Sequence, residues 1–378
     1  MLLSEIEILI IYNPMAGKGK IKKLMPQVKK MYEKAGLRPL FYATKCRNDA
    51  YRITKGYISK FYSKTVGITP KETRQDGTIP SISIATEKRK HSLYVIAAGG
   101  DGTLNEVMRG VLDTGRDVPI GIIPAGSTND FGYSLGINNG MLDAAEKAMN
   151  AILMDEAFMC DVATFNGKYI TYTAAFGLFS DVSYATPQNI KNKLGHSAYL
   201  MYGAKTILKT RRIPVEIMYR RGEADFCDDE QNEECSYTGS GNKGCLKADN
   251  DGWEKISGDM LLGMVVSAKS VGGFRGITGA GVELDDGQNE LLFVRWPDNP
   301  VKLVKTIGHA IGMVRKSPKA REKALDMSID YGIKVIRVRE AKFSFNKPVA
   351  WALDGEDGGS QTEDNIEVKK QAVSYLVV

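Results

Sequence analysis

Leu93-Tyr94-Val95-Ile96-Ala97-Ala98-Gly99-Gly100-Asp101-Gly102-Thr103-Leu104-Asn105-Glu106 is an apolar run that enters a glycine cluster and leaves it as an amphipathic stretch. A short run that is apolar throughout suits a parallel strand buried on both faces. The glycines let the backbone approach a ligand closely, and N–H groups at a helix start form an anion site, for which phosphate is the natural occupant. Thr103-x-x-Glu106 has capping-box spacing and marks the start of that helix. Asp101 would repel phosphates unless a divalent cation lay between them, and Mg²⁺ takes one or two carboxylates together with phosphates and waters. Taken alone, the stretch also reads as a glycine-rich turn with Asp101 in a local backbone bond.

Outward from it, Ile6–Tyr12, Leu40–Thr44 and Val118–Pro124 read as further strands, and Ile21–Ala35 and Thr103–Leu112 as helices. This is the rhythm of a doubly wound α/β domain with a mostly parallel sheet, in which ligands bind at the carboxyl ends of the strands. Two of those ends carry companion loops. Asn13-Pro14-Met15-Ala16-Gly17-Lys18-Gly19-Lys20 offers small residues and two lysines, and Pro124-Ala125-Gly126-Ser127-Thr128-Asn129-Asp130-Phe131 offers a hydroxyl pair and a second acid. Each alone is a turn of common turn residues. Together they gather glycine backbone, lysine, hydroxyls and two aspartates at strand ends. There is no GxxxxGK[ST] and no GxGxxG, so a Walker-type loop and NAD-dependent redox chemistry lose their usual anchors.

After about Phe158 the pattern changes to strand-like segments, including Lys168–Ser180, Ile213–Tyr219, Asp259–Ala268, Glu290–Trp296, Ile333–Arg339 and Val349–Leu353, with helices over Ser197–Thr210 and Val301–Lys316. An all-β, sandwich-like second domain is expected. Ser63–His91 and Arg221–Ser257 break the pattern and read as insertions. Trp351-Ala352-Leu353-Asp354-Gly355-Glu356-Asp357-Gly358-Gly359 ends a strand in an acidic turn, which is either a solvated hairpin or, if it reaches the phosphates, the source of a general base. Spacing alone does not choose among Asp354, Glu356 and Asp357.

The 378 residues sum to +6, too mild for a nucleic-acid binder. Glu223–Cys235 holds seven acids and no base, so the remainder carries +13. No run approaches the ~18 apolar residues of a membrane span, and no leader pattern is visible, so a cytoplasmic protein is expected. Cys46, Cys160, Cys227, Cys235 and Cys245 are odd in number and scattered, which is no disulfide framework. His91, His196 and His309 suggest neither a triad nor a zinc site and read as structural.

The combination of Asn13-Pro14-x-x-Gly17, Gly99-Gly100-Asp101-Gly102-Thr103, Pro124–Phe131 and Leu353-Asp354-Gly355-Glu356 resembles the bacterial soluble diacylglycerol kinases, within the wider diacylglycerol and sphingosine lipid kinase family. Asp181–Gln188 and Leu284-Asp285-Asp286-Gly287 also look like family segments. The resemblance implies an ATP-binding domain over about 1–157 with 366–378, the last strand Val373–Val378 returning to it, and a lipid-substrate domain over 158–365. It implies ATP as donor and Mg²⁺ as cofactor. By motif, Asn13, Lys18, Thr44, Gly99, Gly100, Gly102, Thr103, Gly126 and Ser127 would contact the nucleotide. Asp101, Asp130 and Asp161 would form the network holding a catalytic Mg²⁺, and Asp286, with backbone carbonyls of Gln288 or Leu291, a structural one. Glu356 matches the family's general base, with Asp101 beside it in the chemistry. Ser127 stands where relatives usually have Thr, and Tyr202 where some carry lysine.

The implied activity is transfer of the γ-phosphoryl of ATP to the primary hydroxyl of diacylglycerol, giving phosphatidic acid. The alternatives are a kinase for a sphingoid or polyprenyl alcohol, an NAD kinase-like enzyme for a soluble alcohol, and a non-catalytic nucleotide or lipid sensor. The lipid partner implies peripheral contact with an anionic bilayer at the inner membrane surface, for which Lys205, Lys209, Arg211 and Arg212, or Arg315, Lys316, Lys319, Arg321 and Lys323, are candidate clusters. No nucleic-acid partner is implied, and the family allows a homodimer.

Overall fold

A computed structural model describes residues 6–65, 89–138, 140–178, 211–222, 251–275, 281–299, 301–302, 305–306, 309 and 332–377. The chain divides into two compact units, one of residues 1–126, 136–159 and 373–378, the other of 127–135 and 160–372. The first is an α/β unit, and the second is mostly β with a small antiparallel barrel. The loop Ser127–Leu135 groups with the second unit, although the sequence attaches it to the first. The physical reason is its hydrogen bonding to Lys269, Ser270 and Gly273, described below.

In the first unit β1 (Glu7–Tyr12), β2 (Leu40–Ala43), β3 (Leu93–Gly99) and β4 (Ile120–Pro124) pair in parallel in the order β2-β1-β3-β4. All seven residues of β3 are buried, which is why that run is apolar throughout. Between them lie α1 (Lys20–Lys34), α2 (Asp49–Thr65) and α3 (Asp101–Leu112), and after β4 come α4 (Asp130–Ser134, which belongs to the second unit) and α5 (Met141–Met154). α1 buries Ile21, Met25, Val28 and Tyr32 at helical spacing, and α5 packs an alanine face of Ala144, Ala145, Ala148 and Ala151. The strand order reverses between β1 and β3, so the loops leaving them open at the switch point of the sheet.

α2 and α5 escape the sequence reading, and Ser63–Thr65 end α2 rather than open an insertion. Residues 66–88 of that insertion and 223–250 of the other, with Asp181–Gln188, Tyr202, His196, the helix over Ser197–Thr210 and most of Val301–Lys316, lie outside the described residues. The capping box is also corrected. The N-cap of α3 is Gly100, with no side-chain cap bond. The Glu106 carboxylate instead accepts the Asn48 and Ala50 N–H groups at 2.8 and 3.0 Å, so it caps α2. Three-residue spacing fits both outcomes, and only tertiary packing brings the orphan N–H groups of α2 to Glu106.

At the amino ends of these strands a second set of residues secures the unit. His91, buried, places Nδ1 2.9 Å from Asp155 and Nε2 3.2 Å from Asp117, while the Ser374 hydroxyl donates to Asp117 and Tyr94 donates to Asp155 at 2.6 Å. These bonds join the ends of α5 and of the chain to the strand starts, and Tyr375 pairs in parallel with Ile120. Burial pushes the Asp155 carboxyl up, but bonds from Tyr94, His91 and two backbone N–H groups outweigh it and hold it below its ordinary range. Asp117 is lowered in the same way, burial being outweighed by Ser374, His91 and Lys90. A depressed carboxyl contributes stability above its unfolded pKa and loses it as pH falls through the folded one. Thermal melts should therefore show the α/β unit weakening below pH ~4. Asp155→Asn should cost roughly 1–2 kcal/mol near neutrality and flatten that acid limb, and an unchanged limb would refute this role.

The second unit contains β5 (Phe158–Phe165), β6 (Lys168–Ile170), β7 (Thr173–Gly177), β8 (Ile213–Arg220), β9 (Glu254–Val266), β10 (Ser270–Val271), β11 (Phe274–Arg275), β12 (Asn289–Arg295), β13 (Ile333–Val338), β14 (Glu340–Leu353) and β15 (Glu356–Tyr375). The ends of β5 and β15 reach the first unit. β9 pairs with β8 and then β7, and β14 likewise pairs with β8 and then β7, so these four antiparallel strands close a ring. Trp351, fully buried, fills its interior against Phe165, Phe176 and Phe343 with ring centroids 4.9–5.1 Å apart. Its indole N–H donates to Asp364 at 2.8 Å.

Candidate active site

In the first unit three backbone turns come together at the carboxyl ends of β1, β3 and β4. The Asn13 N–H donates to Ala98 and the Ala125 N–H to Gly99, at 3.0 and 2.7 Å. A Cβ on Gly100 would lie 3.2 Å from the Gly126 Cα, and one on Gly17 3.3 Å from the Ala125 carbonyl. A Cβ on Gly99 would lie 2.4 Å from the Thr103 hydroxyl, so only glycine fits under the first turn of α3. Gly17, Lys18 and Gly19 all have left-handed backbone, at φ 58°, 56° and 79°, which glycine takes easily and lysine seldom does. Asn13 accepts the Met15 N–H at 3.0 Å through its side chain and so shapes the turn from within. Thr44 follows β2, its N–H donating to Tyr12 at 2.9 Å.

The first unit therefore brings Asn13, Lys18, Gly99, Gly100, Gly126 and Thr103 to one end of one sheet, with Thr44 at the adjacent strand end. Asp101 opens α3 and Gly102 is exposed beside it. A close-packed backbone with N–H groups at a helix start suits a polyphosphate, and Lys18, exposed, adds a positive charge. Ser127, also exposed, begins the part of its loop that groups with the second unit.

In the second unit Asp130 is fully buried at the start of α4. Its Oδ1 accepts the Ser270 hydroxyl and the Gly273 N–H, the latter at 2.8 Å, and its Oδ2 has no hydrogen-bond partner among the described residues. A buried oxygen of that kind suits a cation or a water held by one. Asp161 differs, since both its oxygens accept backbone N–H groups, from Gly287 at 2.5 Å and Gln371 at 2.7 Å. It fastens the Leu284–Gly287 loop to β15 where Gln371 turns left-handed. Burial raises the Asp161 carboxyl despite those bonds.

Asp286 Oδ1 accepts the Gln288 N–H at 2.9 Å, and burial raises this carboxyl as well. Gln288 lies just before β12, its amide oxygen accepting the Gly222 N–H at 3.1 Å. Leu291 lies inside β12 with partners on both sides, where a carbonyl faces a neighbouring strand. Glu290, which the sequence reading takes only as the start of a strand, is buried and pushed up to about 8 by burial. Among the described residues no three His, Cys, Asp or Glu side chains form a group that could hold a metal ion.

The acidic turn is the most informative element of this unit. Leu353 pairs with Glu356 across Asp354 and Gly355, whose φ of 49° and 79° make a tight left-handed hairpin turn. The Asp354 carboxylate accepts the N–H groups of Thr171, Tyr172 and Thr173 at 2.8, 2.9 and 3.1 Å, and its own N–H donates to Thr173. Those three N–H groups explain why the run Lys168–Ser180 is not one strand, since β6 and β7 part where the backbone turns to Asp354. Asp357 accepts the Gly359 N–H at 2.7 Å, a local turn bond. Glu356 is exposed on the first residue of β15, as is Asp357 beside it. The signal for the Asp354 lock was invisible locally, because its partners lie some 180 residues away in sequence.

Comparisons with known proteins agree with this arrangement. Residues 7–163 match the model of the diacylglycerol kinase catalytic domain. A diacylglycerol kinase of Bacillus subtilis (strain 168) is 28% identical over 351 residues, 93% of this chain and 89% of that one. One of Staphylococcus aureus (strain MRSA252) is 31% identical over 212 residues, 56% of each chain. A crystal structure of a diacylglycerol kinase from Bacillus anthracis str. Sterne superposes with a TM-score of 0.61 at 17% identity, covering 99% of this chain and 97% of that one. With glycine turns at three strand ends and the domain match over them, residues 7–163 belong to the diacylglycerol kinase catalytic domain family, a family of phosphotransferases.

Proposed function

We propose that this protein, a lipid kinase by family, transfers the γ-phosphoryl of ATP to the primary hydroxyl of diacylglycerol and requires Mg²⁺. The observation that carries the reading is the acidic turn. Asp354 is held by three backbone donors and Asp357 by a local one, while Glu356, exposed on the first residue of β15, is the residue that the family motif Leu353-Asp354-Gly355-Glu356 assigns as general base. Phosphoryl transfer asks a protein mainly for positioning and charge neutralisation. The N–H groups at the start of α3 and the turns around Gly17, Gly100 and Gly126 would hold the phosphates, with Asn13, Thr44, Thr103 and Ser127 as polar contacts and Lys18 as countercharge. Glu356 would take the proton from the acceptor hydroxyl as its oxygen attacks.

Asp130 offers a place for a Mg²⁺ ion, since its orphaned Oδ2 would bind the ion directly or through water. Asp101 would be a further carboxylate for the ion, and Asp161 and Asp286 would order the loop Leu284–Gly287. When bound, the ion neutralises charge on the transferring phosphoryl group. Asp130→Asn should raise the Mg²⁺ concentration for half-maximal activity by about 10–100-fold, with little change in the Km for diacylglycerol. A Mg²⁺ titration indistinguishable from wild type would remove Asp130 from the metal site. The substrate is tested by supplying radiolabelled ATP with diacylglycerol, a sphingoid base, a polyprenyl alcohol or NAD in parallel. Label entering NAD or another alcohol in preference to diacylglycerol would overturn the assignment.

Among the described residues no helix is long and apolar enough to cross a membrane. The lipid would therefore be met by peripheral contact with an anionic bilayer at the inner membrane surface.

A further inference from the structure

Among the described helices α1 carries the largest surplus of positive charge. α1 carries Lys20, Lys22, Lys23, Lys29, Lys30 and Lys34 against Glu33 alone, a surplus of +5 where the whole chain sums to +6. All six lysines are exposed. At about 100° per residue they fill the half of the helix surface opposite buried Ile21, Met25, Val28 and Tyr32.

Helix stability does not explain this placement. The first turn has no acid, and lysines near a helix start oppose the macrodipole. Lys30 and Lys34 are a like-charged i,i+4 pair, a spacing that destabilises. The ion pair of Lys29 with Glu33, at 3.8 Å between half-exposed side chains, is worth little. An external anion would relieve these repulsions. Met15, 80% exposed just before the helix, and Leu40, 52% exposed just after it, supply apolar side chains at both ends. An anionic bilayer takes both kinds of group, headgroups for lysines and the interfacial layer for apolar side chains. Of the basic clusters suggested by sequence, Arg211 and Arg212 are described, and Arg212 already faces Asp259 at 3.7 Å and the Trp296 ring at 5.7 Å.

We infer that the outer face of α1 is the surface by which this protein docks on anionic phospholipid bilayers. The inference rests on the lipid-kinase reading and names the surface that brings the enzyme to its substrate. The test is sedimentation with phosphatidylglycerol and with phosphatidylcholine vesicles at low and high salt, comparing wild type with a Lys22→Glu, Lys23→Glu, Lys29→Glu, Lys30→Glu variant and its four-fold Gln counterpart. Wild type should bind phosphatidylglycerol, release in high salt and ignore phosphatidylcholine. The Glu variant should bind at least ~100-fold more weakly and the Gln variant should fall between. Thermal melting and phosphorylation of diacylglycerol in neutral detergent micelles should stay as in wild type. Equal binding by the Glu variant, salt-insensitive binding, or tighter binding to RNA than to phosphatidylglycerol vesicles would overturn the docking surface. Absence of micellar phosphorylation by wild type would overturn the lipid-kinase reading instead, and the vesicle comparison would still decide the surface.

Discussion

Glu356→Gln should lower diacylglycerol phosphorylation by about 10²–10⁴-fold while leaving ATP affinity and thermal stability within error of wild type. The turn itself supports this separation of effects. Glu356 begins β15 through its backbone pairing with Leu353, and an amide on the same stem keeps that pairing. What Gln loses is the ability to take a proton, so the effect should fall on kcat with little change in the Km for either substrate. Because the side chain is exposed, neither its burial nor its removal should disturb the core around Trp351. Single-turnover kinetics with radiolabelled ATP would isolate the chemical step, and a tryptophan-fluorescence melt would report on the fold. Full activity in this variant would remove Glu356 as the base. A loss of activity accompanied by a lowered melting temperature would make it a structural residue instead.

Much of the architecture was legible because it is written in local periodicity. The fully apolar β3 run, the i, i+4, i+7 stripe of α1 and the glycines after β3 each dictate an element without reference to distant chain. α2 was not legible, as its start depends on Glu106, some 56–58 residues away, to accept its orphan N–H groups. The same limit governs the site. Glycines at strand ends can be read as phosphate turns, yet which of three acids in one turn is locked to the backbone depends on Thr171–Thr173. Asp130 likewise reads as the second acid of its loop, but which of its oxygens is available appears only when Ser270 and Gly273 engage one and leave the other alone. Local pattern thus names the chemistry that is available, and long-range hydrogen bonds assign it to atoms.

Asp354→Ala should damage both stability and turnover, which distinguishes it from its neighbour. Its carboxylate is the acceptor for three consecutive backbone N–H groups, and each buried donor left unpaired costs about 1–3 kcal/mol. Water entering the gap would offset part of that, so a loss of about 3–5 kcal/mol is expected, at the upper end for a single substitution. The bond from the Asp354 N–H to Thr173 and the pairing of Leu353 with Glu356 would remain, but neither restrains the freed segment between β6 and β7. Glu356 would then lose its fixed position two residues on, and phosphorylation should fall by at least about 10²-fold, since misplacing a catalytic group by an ångström has that effect. Asp354→Asn separates the contributions, because its single amide oxygen can accept two of the three N–H groups while its NH₂ confronts the third. It should lie between wild type and Ala in denaturant midpoint and in kcat alike. Hydrogen exchange at Thr171, Tyr172 and Thr173 supplies the direct readout, with protection lost in the Ala variant and partly kept in the Asn variant. Unaltered exchange there, with activity lost all the same, would make Asp354 a catalytic group in its own right and end its role as the lock that positions Glu356.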